Sequence, residues 1–284
     1  MSTHPYAPPL DRLLTLGDAW KMEPWPDYLA LGLGPEHIPD LIQMATDSAL
    51  NEADSDSKEV WAPGHAWRAL AQLHAVEAAA PLTQLFRRID EGQDDFVGED
   101  LPVAFGVLGP GAIPALTAYL ADNANGLWAR VAARHSLQQI GAHHPEARDE
   151  CVGILARQLE HFAEQEAELN GFLIGYLLDL KGAEAASVME RALASGRVDE
   201  SIAGDWEDVQ IELGLKAGRD RPRRLSALQR QVGETLDLLT HDLVRDRTQP
   251  RSKAEIEARA EQAVLAARLK AAAGSKRKRH RKRK

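Results

Sequence analysis

The chain repeats one kind of junction along about residues 10–215. At each junction an apolar helical segment meets Gly or Ala, and a second apolar helical segment follows. Consecutive junction residues are 41, 34, 32 and 41 positions apart, and they are Gly34, Ala75, Gly109, Gly141 and Gly182. Such a period has room for one pair of antiparallel helices. The sequence therefore predicts a row of helical hairpins.

Glycine and proline have distinct expected roles at these junctions. Gly accepts the left-handed backbone conformation that commonly ends a helix, so we expect it to end the first helix of each pair. Pro has no backbone N–H to lose in the first turn of a helix. Pro39, Pro81 and Pro114 follow their junction residues by five or six positions. We therefore expect each of them to open a second helix.

The second helices carry apolar residues at helical spacing, as at Ile113, Leu116 and Leu120. Abundant Ala and Leu, with aromatic residues at only 5%, also favour helices over strands. One hairpin cannot bury such a face alone, so neighbouring hairpins must stack. We predict an all-α helical-hairpin solenoid over residues 1–215.

This pattern resembles the HEAT-like repeats, especially the degenerate bacterial type related to the phycobilisome-lyase repeat. The resemblance covers about residues 10–215; it implies an architecture and almost nothing about activity. Residues 196–215 are also similar to the closing element of bacterial HEAT-like proteins, some of which carry a C-terminal zinc-binding SEC-C module. That module requires Cys pairs, whereas the single cysteine of this chain is Cys151. No zinc site is expected by resemblance.

Charge divides the chain into two unlike parts. The net charge is −9, but residues 1–215 hold 13 basic and 35 acidic residues (−22), and residues 216–284 hold 21 basic and 8 acidic residues (+13). Charge asymmetry of this kind points to interaction with partners. We expect the acidic part to meet a basic or extended protein partner.

The basic part divides further. Residues 216–224 have the composition of a turn-prone linker, and residues 225–273 contain two helical patterns that predict accessory helices. Residues 274–284 are so rich in positive charge that we expect a disordered tail. Its basic residues are candidates for sequence-independent polyanion binding, and they are Lys276, Arg277, Lys278, Arg279, Arg281, Lys282, Arg283 and Lys284. A solvated extension is the alternative.

Two acidic segments are candidate partner-binding sites. Asp94, Asp95 and Glu99 belong to a cluster that we assign to an inter-helix loop. The second segment consists of Asp205, Trp206 and Glu207, where a tryptophan flanked by acids suits a basic peptide. A solvated loop is the favoured alternative for the first segment. For the second, helical spacing favours a tryptophan that packs inward with Val209 and Leu213.

The sequence carries none of the common motifs of catalysis, phosphate binding or metal binding. No phosphate-binding glycine loop, serine-hydrolase elbow or histidine–glutamate metal motif occurs, so no catalytic residue, metal or cofactor is expected. The most apolar stretch, residues 169–180, is too short for a membrane span, and it predicts a buried helix. One cysteine and no secretory signal favour the cytoplasm.

The leading hypothesis is a non-enzymatic protein-interaction scaffold with an acidic solenoid surface. A nucleic-acid- or ribosome-associated protein tethered by its basic tail is the second hypothesis. Lyase-like or glycosylase-like chemistry on a HEAT scaffold is compatible with the fold class, but no residue set supports it. The basic end could also fold back on the acidic body or reach a neighbouring molecule.

The tail hypothesis makes a direct prediction. Deleting residues 276–284 should abolish retention of RNA and DNA by the full chain in filter-binding assays at low salt, because eight Lys or Arg side chains are lost. Retention by the intact chain should fall steeply as salt is raised. Unchanged retention after the deletion would remove the hypothesis.

Overall fold

A computed structural model describes residues 6–122 and 124–220, which belong to a compact unit comprising residues 1–220. All regular secondary structure in these residues is helical, which confirms the all-α prediction. The accessory helices predicted at 225–273 and the basic tail lie outside the described residues. The α-helices are α1 (Leu13–Leu16), α2 (Ile38–Thr46), α3 (Ser48–Asn51), α4 (Ala62–Gln72), α5 (Ala79–Thr83), α6 (Arg87–Gly92), α7 (Asp95–Leu108), α8 (Ile113–Leu120), α9 (Leu127–His143), α10 (Arg148–Leu159), α11 (Ala167–Asp179), α12 (Ala186–Ala194), α13 (Glu200–Ala203) and α14 (Trp206–Glu212).

A short 3₁₀ turn introduces each second helix of a predicted pair. The five turns precede α2, α5, α8, α10 and α12, and they are Pro35–His37, Val76–Ala78, Pro110–Ala112, Pro145–Ala147 and Ala183–Ala185. Four of them directly follow predicted junction residues, and the fifth follows His144. Other 3₁₀ turns are Leu10–Arg12, Ala19–Lys21, Leu29–Leu31, Glu59–Trp61 and Gln84–Phe86.

The assignment of Gly141 as a junction is wrong, because α9 continues through it to His143. A Cβ at Gly141 would lie 3.0 Å from Leu180 Cδ2 and 3.2 Å from Cys151 Cβ. This glycine therefore allows close packing between helices, and it does not end one.

At two junctions, the residue before the predicted one adopts the left-handed conformation. His74 and Lys181 have φ values of 50° and 53°, one residue before the junction. The next N–H in each case donates back to the helix, from Ala75 to Leu70 O (3.0 Å) and from Gly182 to Leu177 O (2.8 Å), as in a Schellman motif. Only Gly109 among the predicted junction residues has a positive φ.

The expected role of proline is confirmed at α2 and α8, where Pro39 and Pro114 are the second residues of their helices. Pro81 is the third residue of α5. The missing N–H therefore falls in the first turn in all three helices, where no intrahelical partner is lost.

The helices neighbour one another in chain order. In one set, α4 packs beside α7, α7 beside α9, and α9 beside α11. Helices α2, α5 and α8 form a second series of neighbours, and α10 contacts α9, α11 and α12. Leucine and alanine dominate the space between the sets, with Leu70, Phe105, Leu137 and Leu173 fully buried.

A buried ion pair joins α4 to α7. The guanidinium of Arg68 (1% exposed) donates to both carboxylate oxygens of Asp100 (8% exposed). Asp100 also accepts from Trp67 Nε1 at 2.6 Å. Arg68 Nη1 donates to the carbonyls of Ala19 (2.9 Å) and Met22 (3.3 Å). Although burial acts to lower it, the pKa of Arg68 is raised by the hydrogen bonds and charge of Asp100.

A second buried polar contact holds the N-terminal segment against α4. His65 lies between the Tyr28 hydroxyl (2.7 Å from Nδ1) and the Gly17 carbonyl (2.8 Å from Nε2). This arrangement suits a neutral ring that accepts from Tyr28 and donates to Gly17. Burial lowers the pKa of His65 to about 4. His65 is therefore uncharged at neutral pH.

No single helix in the described part of the chain is long and apolar enough to cross a bilayer. One pair of consecutive helical segments, Asp95–Leu108 and Pro110–Leu120, has the combined length and apolar composition of a span, but the two segments meet at an angle of 114°.

We predict that Asp100→Ala destabilises the fold strongly. The substitution leaves the buried Arg68 guanidinium without its main carboxylate, since Glu23 lies 3.8 Å away and is mostly exposed. Removing one partner of a buried pair typically costs about 3–5 kcal/mol. Urea denaturation should show this loss in the free energy of unfolding.

The matched control is Glu160→Ala, which removes one partner of the half-exposed Arg191–Glu160 pair. Exposed pairs contribute at most about 1 kcal/mol. Equal losses in the two variants would contradict the central role of Arg68 and Asp100.

Acid should destabilise the protein partly through His65. Between pH 6.5 and about 4 the unfolded chain binds a proton at this histidine and the folded chain does not. The free energy of unfolding therefore decreases as the pH is lowered through this window, by up to about 1.4 kcal/mol per pH unit from this group. Denaturation of His65→Gln should show a shallower pH dependence there. An unchanged slope would be inconsistent with a depressed His65 pKa.

Candidate functional site

A groove of about 860 Å³ opens along α9, with α6 and α7 on one side and α11 on the other. Val131 and Ala132 of α9 are buried at its base. Asp95 and Glu99 of α7 line one side, one helical turn apart, and both side chains are exposed. We call this cavity the acidic groove.

Aromatic rings on α9 and α11 also line the acidic groove. Trp128, at the start of α9, is 47% exposed and meets Phe172 of α11 edge to face, with ring centroids 5.9 Å apart. Phe172 and Tyr176 are four residues apart on α11, and their rings are stacked at 6.2 Å. His135 stacks on Tyr176 at 5.3 Å with nearly parallel planes. The result is a continuous row of ring faces and edges.

The end of α6 fixes the position of the aromatic row. Both carboxylate oxygens of Asp90 accept backbone N–H groups at the start of α9, from Trp128 (3.1 Å) and Ala129 (2.8 Å). A carboxylate at a helix N-terminus is favoured by the free N–H groups and by the helix dipole. Gly126 makes room for it, because a Cβ there would clash with Asp90.

The electrostatics of the groove favour cations. None of the described residues that line it is Lys or Arg. Burial lowers the pKa of His135, and Gln139 Nε2 lies 3.0 Å from its Nε2. His135 is thus neutral at pH 7. Exposed carboxylates and aromatic rings that line one cavity provide ion pairing and cation–π contact for a basic side chain.

A second cavity of about 300 Å³ adjoins the groove, and Gln93 and Asp95 line both. Four aromatic side chains also line it, Trp20, Trp61, Trp67 and Phe96. We call it the aromatic pocket.

The prediction of an inter-helix loop is wrong for Asp95 and Glu99, which are helical. Only Gln93 and Asp94 separate α6 from α7, so Asp94 alone of the three predicted residues lies between helices. Asp94 caps α7 by accepting the Val97 N–H at 3.1 Å, and it pairs with Arg88 at 3.1 Å. The acids of this segment therefore have three different roles. Asp94 caps α7, Asp100 forms the buried pair with Arg68, and Asp95 and Glu99 lie on the exposed side of α7.

The second predicted acidic site lies at α14 and does not line the groove. Asp205 accepts from Asp208 N–H as the N-cap of α14, and Arg219 binds the Asp205 carboxylate at 2.5 Å. Glu207 pairs with Lys216 at 2.5 Å. The Arg219 hydrogen bond lowers the pKa of Asp205. The carboxylates of Asp205 and Glu207 therefore bind the chain's own cations.

Trp206 is half-buried and packs against the hydrophobic core, as does Leu213, while Val209 is fully buried. The helical spacing of these three residues predicted an inward-packed tryptophan, and the structure agrees. The six predicted partner-binding residues thus divide between four settings: the groove for Asp95 and Glu99, the α7 cap for Asp94, the α14 ion-pair cluster for Asp205 and Glu207, and the hydrophobic core for Trp206.

Sequence reasoning did not identify Trp128, His135, Phe172 and Tyr176. The available signal was the four-residue spacing of Phe172 and Tyr176, which places both on one side of α11. It was masked by the apolar residues around them, which predict a uniformly buried helix. Trp128 follows Gly126 at a helix start and carries no pattern of its own.

The described residues contain no group of three or more His, Cys, Asp or Glu side chains placed to hold a metal ion. Cys151 is a free thiol with no exposed surface, and burial raises its pKa to about 11. A buried, protonated thiol is a poor nucleophile.

Comparisons with models of protein families, with curated proteins and with solved structures find no match to this chain. The site must therefore be interpreted from its own geometry.

Proposed function

We propose that the chain is a non-enzymatic protein-interaction scaffold, built as a HEAT-like helical-hairpin solenoid, that binds a basic segment of a partner protein in the acidic groove. The placement of the exposed Asp95 and Glu99 in one cavity with the exposed Trp128 is the observation that carries this proposal. An extended segment with Lys or Arg would lie along α9 and contact both the carboxylates and the aromatic rings.

The arrangement of helices supports the architectural part of the proposal. Helices α4, α7, α9 and α11 follow one another side by side, and a 3₁₀ turn introduces each second helix of a pair. Stacked hairpins create extended surfaces between successive helices, and such surfaces are used for binding.

Long-range electrostatics support the choice of a basic partner. Residues 1–215 carry a net charge of −22, which raises the rate of encounter with cationic proteins. The carboxylates at α14 are already paired with Lys216 and Arg219, whereas no ion pair involves Asp95 or Glu99 within the described residues. Those two side chains are the acids that the groove offers to a partner.

The described residues provide no observation that favours the tail-tethered, nucleic-acid-binding alternative, which depends on residues 276–284. It stays a prediction with its own deletion test. A cytoplasmic location likewise rests on the sequence.

Binding of a labelled hexa-arginine peptide to the full chain tests the proposal by fluorescence anisotropy. Glu99→Gln and Trp128→Ala should each raise the dissociation constant by about threefold or more, since one ion pair or one cation–π contact is lost. Both side chains are exposed, so the fold should be retained.

The matched control is Glu190→Gln, which removes an exposed carboxylate from α12, away from the groove. It should leave the dissociation constant unchanged. Equal effects of Glu99→Gln and Glu190→Gln would show that the peptide senses only net charge, and the proposed groove would then be wrong.

A further inference from the structure

The aromatic pocket is built around Phe96 of α7. Trp20, Trp61 and Trp67 surround this ring at centroid distances of 5.5, 5.3 and 5.2 Å. Gly64 of α4 allows the close approach, because a Cβ there would lie 2.6 Å from Phe96 Cε1. The pocket is thus formed where α4 lets an aromatic ring lie against its backbone.

Trp20 is unusual among these rings because 44% of its surface is exposed. It lies on the N-terminal segment that Arg68 holds through the Ala19 and Met22 carbonyls. A large apolar side chain in the pocket would cover part of this exposed surface, which is favourable in water.

The polar groups at the rim of the pocket mostly have partners within the protein. Arg88 binds Asp94 through Nε (3.1 Å) and the Asn51 carbonyl through Nη2 (2.8 Å). Asp94 also caps α7. The remaining charge at the rim is Asp95, an exposed carboxylate for which the described residues supply no ion pair.

Asp95 also lines the acidic groove, so the two cavities meet at a carboxylate. We infer that the partner segment is bipartite: one large apolar side chain inserts into the aromatic pocket, and Lys or Arg residues beside it in the sequence lie in the acidic groove. This inference rests on the proposed function and specifies its partner.

The bipartite form has an energetic basis. Exposed ion pairs alone contribute little, and they are screened by salt. Burial of one large apolar side chain contributes more, and salt does not screen it. An apolar anchor therefore gives a basic segment affinity at physiological ionic strength and fixes its register along α7 and α9.

A random-peptide display library panned on the immobilised full-length protein tests the inference without assuming a sequence. We expect enriched peptides to share one large apolar residue at a fixed distance from Lys or Arg. The enriched peptide is then synthesised with a fluorescent label, and its affinity is measured by anisotropy.

Val60→Trp fills the pocket from its rim, and Trp20→Ala removes one of its walls. Each should weaken binding of the enriched peptide by about tenfold, as expected for loss of one buried apolar side chain. Val76→Trp is the matched control at an exposed valine that lines neither cavity, and it should have no effect. Circular dichroism and thermal unfolding establish that each variant is folded.

The outcomes separate the inference from the proposed function. Enrichment of basic peptides without an apolar residue, insensitive to Val60→Trp and Trp20→Ala, would overturn the bipartite partner and leave the acidic groove standing. Failure to enrich any basic peptide would overturn both. Dimerisation of the chain in analytical ultracentrifugation that Val60→Trp abolishes would identify a second copy as the occupant and would also overturn the inference.

Discussion

The guanidinium of Arg68 on α4 contacts two other parts of the protein. It binds Asp100 on α7 and the carbonyls of Ala19 and Met22 on the N-terminal segment, and it lies 4.7 Å from the ring centre of Trp25 on that same segment. A buried cation must satisfy its hydrogen bonds in a defined geometry, so it orients every group that it contacts. The Arg68–Asp100 pair thus holds α4 and α7 together beside the aromatic pocket, where Trp67 of α4 also packs on Phe96 of α7.

Local patterns in the sequence were sufficient for the class of fold. Helical spacing of apolar residues and proline in first turns depend on neighbours within a few positions, so all-α structure and the junctions at Gly34, Ala75, Gly109 and Gly182 could be predicted. Gly141 could not be interpreted in this way. The sequence shows only that a glycine is present. Whether it ends a helix or, like Gly141, makes room for Leu180 and Cys151 depends on the packing around it.

The candidate site was predicted in part, for a physical reason. Asp95 and Glu99 stood out because they are acidic, but their helical placement depends on the cap that Asp94 forms. Trp128, His135 and Tyr176 come together from two helices, and the register in which α9 stacks on α11 decides which of their faces meet. That register arises from many contacts between residues distant in the chain, which no local pattern records.

The carboxylate of Asp90 belongs to α6 but completes the first turn of α9. Consecutive hairpins are thereby joined through a helix end as well as through their packed sides. Bending the row at this point would pull the carboxylate away from two backbone N–H groups, so this joint is stiffer than apolar packing alone would make it. A displacement of α6 relative to α9 would therefore also displace the backbone of Trp128, whose ring lines the groove.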